Sequence, residues 1–405
     1  MERKIGNLNS PPPAARRLFL LSIGVFAIGG FVTSLVSLLV PRLTALYGSS
    51  YSHAFLVQMA FHLSYLLFAL PIGRMITRRG YMRSATIGLA IMSAAMVILV
   101  IANALRLFPL LLIALLLLSC GITFLQIASN TVVAVVGQAE GAAFRLNLLQ
   151  GCNSAGTIAA PLLGAVFLTE RVGAGGAPPF VFALLILLVL TICYARNRRL
   201  LDTALAAESA IAPFDLRSAL KDRKLVWGMA AIFAYVGAEV SIGALLANYL
   251  MQPGTLNARP AAAARMLSLY WGGAMVGRFA GGFIMRRCSP STPLLIAALA
   301  AAALTLISAS LGGLPGSATL IAVGLFNSIM YPTIYVLALP AQTERATSAA
   351  TLLCMAIVGG AVIPMLCGGI ADRVGLGPSL YVPLLCYLIV AAFALSCSGR
   401  NSERA

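Results

Sequence analysis

The chain has 405 residues, of which 60% are hydrophobic and only 10% are charged, and its formal net charge is +17. Because soluble domains carry roughly a quarter charged residues, this composition excludes a water-soluble fold. The positive residues are spread between apolar segments and have few aromatic or polar neighbours, which argues against nucleic-acid binding.

Apolar segments, separated by charged residues and by Gly/Pro turns, follow one another along the whole chain. A helix needs about 20 apolar residues to span the hydrocarbon core of a membrane. Twelve such segments lie near residues 17–43, 54–77, 82–103, 107–136, 143–168, 178–195, 224–252, 260–287, 292–311, 316–340, 346–370 and 378–397. The sequence therefore predicts an all-α membrane protein with twelve transmembrane helices. The polar, proline-bearing start and the length of the first apolar run argue against a cleavable signal peptide.

The longest polar break lies between the sixth and seventh segments and is rich in arginine and lysine. Most other arginine and lysine residues fall on the same side of the predicted membrane as this break. The positive-inside rule then places both termini in the cytoplasm, in the inner membrane of a bacterium. The predicted domains are a cytoplasmic tail (1–16), an N-terminal six-helix bundle (17–195), a central cytoplasmic linker (196–223), a C-terminal six-helix bundle (224–397) and a second cytoplasmic tail (398–405).

Two short patterns recur at an offset of about half the chain. They are Gly73-Arg74 with Arg78-Arg79, repeated as Gly277-Arg278 with Arg286-Arg287, and the glycine-to-proline stretch 156–161, repeated at 360–364. The shared offset predicts two homologous six-helix halves. This is the parallel-repeat plan of the major facilitator architecture, in which the substrate site lies at the membrane midplane between the halves.

Amide side chains occur at helical spacing in two neighbouring segments. Asn147, Gln150 and Asn153 share one face of segment five, and Gln126 and Asn130 share one face of segment four. A polar side chain in hydrocarbon has to face the bundle interior or a wet cavity. Amides offer donors and acceptors without a net charge, which suits the hydroxyl groups of a sugar. The alternative is that they only join helices across an interface; two adjacent stripes favour a cavity.

Glu239 is the one acidic residue near the middle of a predicted segment, and Arg278 is the one cation at comparable depth. A charged side chain at the bilayer centre costs about 2.5 kcal/mol or more. We therefore predict that Glu239 carries a coupling proton or contacts substrate. A static ion pair with Arg278 is the alternative.

Two further groups of residues are candidates for substrate binding and gating. Asn327 and Tyr331 are four residues apart in segment ten, where an aromatic ring can stack on a pyranose. The arginines after Gly73 lie at the end of segment two and are predicted to gate the transport path together with Arg278: Arg74, Arg78 and Arg79. Solvated charges that only set the topology are the alternative for these three arginines.

The sequence contains no set of residues typical of an enzyme. His53 and His62 are the only histidines, and neither acids nor thiols cluster around them. A Walker-type loop for ATP is absent from the sequence as well. We predict that the protein is not an enzyme, that it needs no prosthetic group, and that ATP does not drive it.

Several longer motifs are spread over the chain. They are LQIASN at 125–130, RLNLLQ at 145–150, NSAGT at 153–157, YVGAEVSIG at 235–243 with NY at 248–249, YWGGAMVGR at 270–278, FNSIMYPT at 326–333 and CMAIVGG at 354–360. This set resembles the fucose and glucose/galactose permease family of major facilitators, most closely its glucose/galactose branch, from the first segment to the twelfth. The resemblance implies cation-coupled hexose uptake, with H⁺ or Na⁺ as the coupling ion. It also implies sugar contacts at Gln126, Gln150 and Asn153, and Glu239 matches an acid typical of the glucose/galactose branch.

One departure from the family affects the coupling mechanism. Segment one of these permeases usually carries an Asn-Asp pair before its proline, whereas this chain has Val36 and Ser37. The usual titrating group is therefore missing. Either Glu239 alone carries the coupling proton, or the protein is a uniporter, or its substrate differs from that of its relatives.

Together these features predict a monomeric secondary active transporter for a hexose-type sugar (glucose-, galactose- or fucose-like) in the lipid bilayer, working by alternating access. The predicted cavity is lined by Gln126, Asn130, Asn147, Gln150, Asn153, Glu239, Asn327 and Tyr331. The alternatives are a uniporter or exporter of another small polar or amphipathic compound, and a sugar sensor that does not transport.

Overall fold

The computed structural model describes residues 13–47, 51–105, 107–135, 141–168, 178–197, 216–340 and 345–398. The first half of the chain forms six helices: α1 Pro13–Tyr47, α2 Tyr51–Arg79, α3 Tyr81–Leu105, α4 Phe108–Val135, α5 Ala142–Leu168 and α6 Pro178–Arg196. The predicted tail residues 1–12 and 399–405 and the linker residues 198–215 lie outside the described residues, as do the side chains of His53, Val36 and Ser37.

The second half begins with a short helix, Leu216–Leu220, and then α7 Arg223–Met251. Asp222 caps α7, because its carboxylate accepts from the amides of Lys224 and Leu225. The following helices are α8 Pro260–Ile284, α9 Ser291–Leu311, α10a Gly313–Asn327, α10b Met330–Ala338, α11a Ala346–Met355, a 3₁₀ turn Ala356–Val358, α11b Gly359–Val374, a single turn Leu376–Ser379 and α12 Tyr381–Ser398. Segments ten and eleven are therefore interrupted, which the sequence did not predict.

The helices have the length and surface of membrane spans. In the described residues, nine spans are long and apolar enough to cross a membrane, and α1 adds a shorter apolar stretch, Phe19–Leu35. Their outer faces expose large apolar side chains such as Leu185 (58%), Leu269 (63%) and Leu395 (56%). A surface of this kind suits hydrocarbon and would be unfavourable in water. The protein is a multi-pass membrane protein, and the predicted all-α architecture is confirmed.

The packing of the second half repeats that of the first. In the N-terminal half, α1 packs on α5, α2 on α4, and α3 on α4 and α6. The corresponding helices of the C-terminal half make the same pairs: α7 packs on α11b, α8 on α10a, and α9 on α10a and α12. The halves meet where α2 packs on α11a and where α8 packs on α5. These two pairs are equivalent, because α8 is the counterpart of α2 and α11 is the counterpart of α5. The pseudo-symmetry predicted from the recurring patterns is thus present in the helix packing.

Glycines in or directly beside the glycine-to-proline patterns mark close helix contacts inside each half. A Cβ at Gly156 would collide with the carbonyl oxygen of Ala27, and a Cβ at Gly359 would collide with that of Phe233. Small residues allow membrane helices to approach at backbone distance. Gly156, in the first pattern, therefore holds α5 against α1, and Gly359, directly before the second pattern, holds α11b against α7.

Candidate functional site

Arg278 lies in the contact between the two halves. Its side chain is 11% exposed, and its Nη2 is 3.9 Å from Oε1 of Glu239, whose side chain is 15% exposed. Its Nε donates to the main-chain oxygen of Ser328 at 3.2 Å. Nη1 crosses to α5, where it donates to the main-chain oxygen of Gln150 at 3.3 Å and to the hydroxyl of Ser154. We call these five residues the ionic contact; a single guanidinium joins α5, α7 and the break in α10.

The local backbone explains how Arg278 reaches α10. This helix is interrupted at residues 328–329, so the carbonyl of Ser328 is available to a side chain. Gly277 lets α8 approach the break, because a Cβ at this position would collide with the Ser328 side chain. The recurring Gly-Arg pattern of the sequence therefore has a direct structural role in its second copy.

Glu239 is surrounded by tyrosines of three helices. Tyr235 lies one turn earlier on α7, Tyr270 belongs to α8, and Tyr387 belongs to α12; each interacts electrostatically with the carboxyl group. Removing one partner from a buried ion pair costs about 3–5 kcal/mol, because the other charge is left uncompensated. The geometry agrees with the pairing of Glu239 and Arg278 and also leaves the carboxyl able to accept a proton.

A second contact between the halves consists of neutral groups. Nδ2 of Asn130 donates to Oε1 of Gln126 at 2.6 Å and to the hydroxyl of Tyr331 at 3.3 Å, and that hydroxyl lies 3.5 Å from Gln126 Oε1. One turn further along, the hydroxyls of Thr131 and Tyr335 are 3.0 Å apart. We call these five residues the amide contact; it joins α4 to α10b.

The amide contact lies toward the end of the bundle at which α6 ends and α7 begins, here called the linker end. At the same end, the hydroxyls of Tyr81 on α3 and Thr347 on α11a are 2.6 Å apart. The two halves are therefore hydrogen-bonded to each other at the linker end.

Two of the predicted cavity residues on α5 have other neighbours. Nδ2 of Asn153 donates to the carbonyl oxygen of Phe26 on α1 at 3.0 Å. Nδ2 of Asn147 donates to the carbonyl oxygen of Ala143 at 2.9 Å and contacts Sδ of Met285 on α8 at 3.5 Å. Asn153 thus joins two helices of one half, which agrees with the alternative that the amides only connect helices. Asn147 lies between the halves, toward the linker end.

The structure consequently divides the predicted cavity residues into groups. Gln126, Asn130 and Tyr331 belong to the amide contact. Glu239 belongs to the ionic contact through its side chain, whereas Gln150 belongs to it through its main-chain oxygen. Asn327 lies inside the C-terminal half, where its Nδ2 donates to the Tyr270 hydroxyl at 2.7 Å.

The predicted gating arginines do not lie together. Arg74, Arg78 and Arg79 are exposed at the end of α2, and none of them forms a salt bridge with a residue that the structure describes. Only Arg278 lies in the contact between the halves. The three exposed arginines agree better with solvated, topology-setting charges, the alternative that the sequence left open.

His62 adds a further contact between the halves that the sequence did not predict. It is buried on α2, and its imidazole fills the space beside Gly360 of α11b. A Cβ at Gly360 would lie 2.6 Å from Cδ2 and 2.7 Å from Nε2 of His62. The ring therefore packs directly on the backbone of the opposite half.

Other residues of the site gave little signal in the sequence. Ser328 acts through its main-chain oxygen, which depends on the break in α10. Tyr387 is a single polar group in an apolar run and has no periodic partner. Ser154 lies on the same helical face as Gln150, so the periodicity of segment five already pointed to it.

Comparison with known proteins identifies the family. The sequence model of the Major Facilitator Superfamily matches residues 21–351. The chain belongs to this superfamily. It is 36% identical over 379 residues to a glucose/galactose transporter of Brucella abortus, with 92% of each chain covered. It is 26% identical over 407 residues to the L-fucose-proton symporter of Escherichia coli, with 93% of this chain and 92% of the symporter covered.

The chain therefore belongs to the family of these permeases, and the resemblance found in its motifs is confirmed. Among solved structures, the fucose permease FucP in its outward conformation superposes with a TM-score of 0.83 at 24% identity, covering 95% of this chain and 99% of that chain. This agreement extends over both halves and shows the major facilitator fold.

Proposed function

We propose that the protein is a secondary active transporter that moves a hexose-type sugar across a bacterial inner membrane by alternating access, coupled to a cation. The observation that carries this proposal is the ionic contact, because it ties the membrane-embedded acid Glu239 to a cation that bonds the opposite half. The names of the relatives, a glucose/galactose transporter and an L-fucose-proton symporter, support the substrate class.

Alternating access requires the contacts between the halves to break and re-form. The linker end is held by neutral hydrogen bonds, including those of the amide contact. Each such bond contributes only about 0.5–1.5 kcal/mol, so the closed linker end can open reversibly. Because both termini lie in the cytoplasm, the linker end is the cytoplasmic end of the bundle. The transport path is therefore closed toward the cytoplasm in this arrangement.

Glu239 supplies a route for coupling. When the carboxyl is charged, it attracts Arg278 and holds the guanidinium where it also reaches α5. Protonation removes this attraction and leaves the cation with neutral acceptors, the carbonyls of Gln150 and Ser328 and the Ser154 hydroxyl. A proton bound at Glu239 therefore changes the strength of the contact between the halves. The residue works without the acid that related permeases carry at the position of Ser37.

The sugar is bound between the halves by amides and aromatic rings. Gln126 and Gln150 lie on neighbouring helices of the N-terminal half, and Tyr331 faces Gln126 from α10b. An amide can donate a hydrogen bond to a sugar hydroxyl or accept one from it. The Tyr331 ring offers an apolar face to the sugar ring. The transporter acts as a monomer in the bilayer and needs no prosthetic group for this chemistry.

The test is uptake of labelled glucose, galactose and fucose into proteoliposomes, with and without an imposed pH or Na⁺ gradient. We expect accumulation of at least one sugar that depends on one of the two gradients. Glu239→Gln should abolish gradient-driven accumulation and leave sugar exchange intact. Asp372→Asn is the matched control, because Asp372 is an exposed acid at the far end of α11b.

Each alternative predicts a different result. If all three sugars are ignored, the substrate assignment is wrong, and export of another compound becomes the better hypothesis. Sugar binding without uptake indicates a sensor. Uptake that no gradient affects indicates a uniporter, and unchanged accumulation by Glu239→Gln removes this residue from the coupling mechanism.

A further inference from the structure

A cavity of about 250 Å³ opens between α7 and α12 at the linker end of the bundle. It is lined by Arg223, Lys224 and Trp227, from the start of α7, and by Ser396, near the end of α12. These two helices pack on each other. At a rise of about 1.5 Å per residue, Arg223 lies about 24 Å along α7 from Glu239, so this cavity is separate from the ionic contact.

The two cations of the cavity lie where a helix disfavours positive charge. The helix dipole places partial positive charge at the start of α7, and Arg223 and Lys224 are its first two residues. Asp222 already caps two backbone amides of this turn. Neither cation forms a salt bridge with any residue in the described parts of the chain. A role in topology alone explains the charge but not the cavity that the two side chains share.

Apolar side chains around the cavity place it at the boundary of the membrane. Trp227 is 48% exposed and lies one turn from Arg223, on the same face of α7. Val226 and Leu395, the sequence neighbours of two lining residues, are exposed as well. An exposed tryptophan at the end of a membrane helix is typical of the headgroup region. The cations therefore lie at the depth of lipid headgroups, next to side chains that suit acyl chains.

We propose that this cavity binds the phosphate group of an acidic phospholipid such as phosphatidylglycerol. Arg223 and Lys224 supply positive charge and hydrogen-bond donors for the phosphate oxygens. The Ser396 hydroxyl donates to the main-chain oxygen of Phe393 at 2.7 Å, and its own oxygen can still accept from a hydroxyl of the glycerol headgroup. A water molecule takes about 30 Å³ in the liquid, so the cavity is large enough for a phosphate group.

The charges of the site favour an acidic lipid over a zwitterionic one. Basic pockets between membrane helices bind acidic headgroups. A zwitterionic headgroup has the same phosphate but adds an ammonium group, which Arg223 and Lys224 repel. Phosphatidylglycerol carries no positive charge and avoids this repulsion. In the orientation of the proposed function, the bound lipid belongs to the cytoplasmic leaflet.

The test uses Trp227 as a reporter inside the site. Trp227 and Trp271 are the two tryptophans of the chain, so Trp271→Phe leaves Trp227 alone. Trp271 contacts the Tyr270 ring edge-on, and phenylalanine keeps an aromatic ring there. The full-length variant is placed in bilayers in which brominated phosphatidylglycerol or brominated phosphatidylcholine replaces part of the lipid, because bromine quenches indole fluorescence on contact. We expect stronger quenching by brominated phosphatidylglycerol at equal mole fraction.

Substitution of the cations tests the site itself. Each basic residue near an acidic lipid strengthens binding by about fivefold. In the Trp271→Phe protein, Lys224→Gln should therefore lower the preference for phosphatidylglycerol about fivefold, and adding Arg223→Gln should bring the two lipids close to equal. Arg286→Gln with Arg287→Gln is the matched control, because it removes two adjacent, exposed cations just after the end of α8. This control should keep the preference.

Three results overturn the proposal. Equal quenching by the two lipids in the Trp271→Phe protein shows that the site does not select acidic lipid. An equal loss of preference in the control and in the Arg223 and Lys224 variant shows only a diffuse attraction to the membrane surface. Relief of quenching by millimolar inorganic phosphate, beyond that of sodium chloride at the same ionic strength, assigns the cavity to a free anion. The measurement involves neither sugar nor a gradient, so its outcome is independent of the proposed transport.

Discussion

The two contacts that join the halves differ in chemistry. The ionic contact pairs a carboxylate with a guanidinium that reaches across to α5. The amide contact joins α4 and α10b through neutral amides and hydroxyls. Only the first can respond to a proton, because only the first contains a group that changes charge. The interface between the halves therefore combines a proton-sensitive contact with a proton-insensitive one.

The largest effect should come from removing the cation of the ionic contact. Arg278→Met leaves Glu239 without its partner and removes the bonds to α5, so we expect a loss of about 3–5 kcal/mol in stability together with a loss of sugar uptake. Thermal unfolding in detergent measures the stability. Arg287→Gln, which removes an exposed cation next to α8, should change it by less than about 0.5 kcal/mol.

The double variant Glu239→Gln with Arg278→Met sharpens this prediction. If the loss comes from an unpaired buried charge, neutralising both partners should recover part of the stability. A double variant as unstable as the sum of the two single variants would show that the residues act independently.

The next largest effect should come from the contact between His62 and Gly360. Gly360→Ala places a Cβ within 2.7 Å of the imidazole, and overpacking of this kind costs about 1–3 kcal/mol. We expect faster hydrogen exchange in α2 and α11b, because the halves are pushed apart. Gly369→Ala on the same helix has open space around it and should not accelerate exchange; equal exchange in the two variants would contradict the packing described here.

A smaller and pH-independent effect is expected from the amide contact. Tyr335→Phe removes the bond to Thr131 and should weaken closure of the linker end by about 1 kcal/mol. Hydrogen exchange of α10b measures this change at two pH values. A change of similar size at both pH values agrees with a neutral contact, whereas a strong pH dependence would show that the two contacts are not separate.

The smallest effect is expected at the exposed arginines of α2. Arg78→Gln and Arg79→Gln remove solvated charges, so stability should stay within about 0.5 kcal/mol of the unmodified protein. Initial rates of sugar uptake in proteoliposomes decide their role. Nearly normal rates favour topology-setting charges, and a tenfold loss would restore the gating role predicted from the sequence.

Hydropathy and spacing predicted the helices and the repeat well, because both follow from features that repeat along the chain. The interruptions of α10 and α11 were not predicted, since the apolar pattern continues through them. Helical spacing placed Asn147, Gln150 and Asn153 on one face of α5. It could not show that the Asn153 side chain contacts α1 while the main-chain oxygen of Gln150 contacts Arg278 of α8. Spacing defines a face of a helix, and the neighbours of that face depend on tertiary packing.

The ionic contact was partly predictable. Glu239 and Arg278 were singled out by their depth in the membrane, and their pairing was one of the two hypotheses. The bond from Arg278 to the Ser328 carbonyl could not be foreseen, because it depends on a helix break and not on a side chain. Tyr387 gave no signal, since one tyrosine in an apolar helix is typical of ordinary packing.

The glycine contacts described above differ between the inside of each half and the boundary between the halves. Inside the halves, Gly156 and Gly359 lie against carbonyl oxygens of the neighbouring helix. Across the boundary, a Cβ at Gly151 would lie 2.7 Å from the Phe279 ring, and one at Gly360 would meet the His62 ring. A helix seated on another backbone cannot shift without moving both, whereas an aromatic ring can swing away by rotating about its side-chain bonds. Each bundle is thereby built to move as one block, and the aromatic side chains at the boundary can rotate once the hydrogen bonds between the blocks have opened.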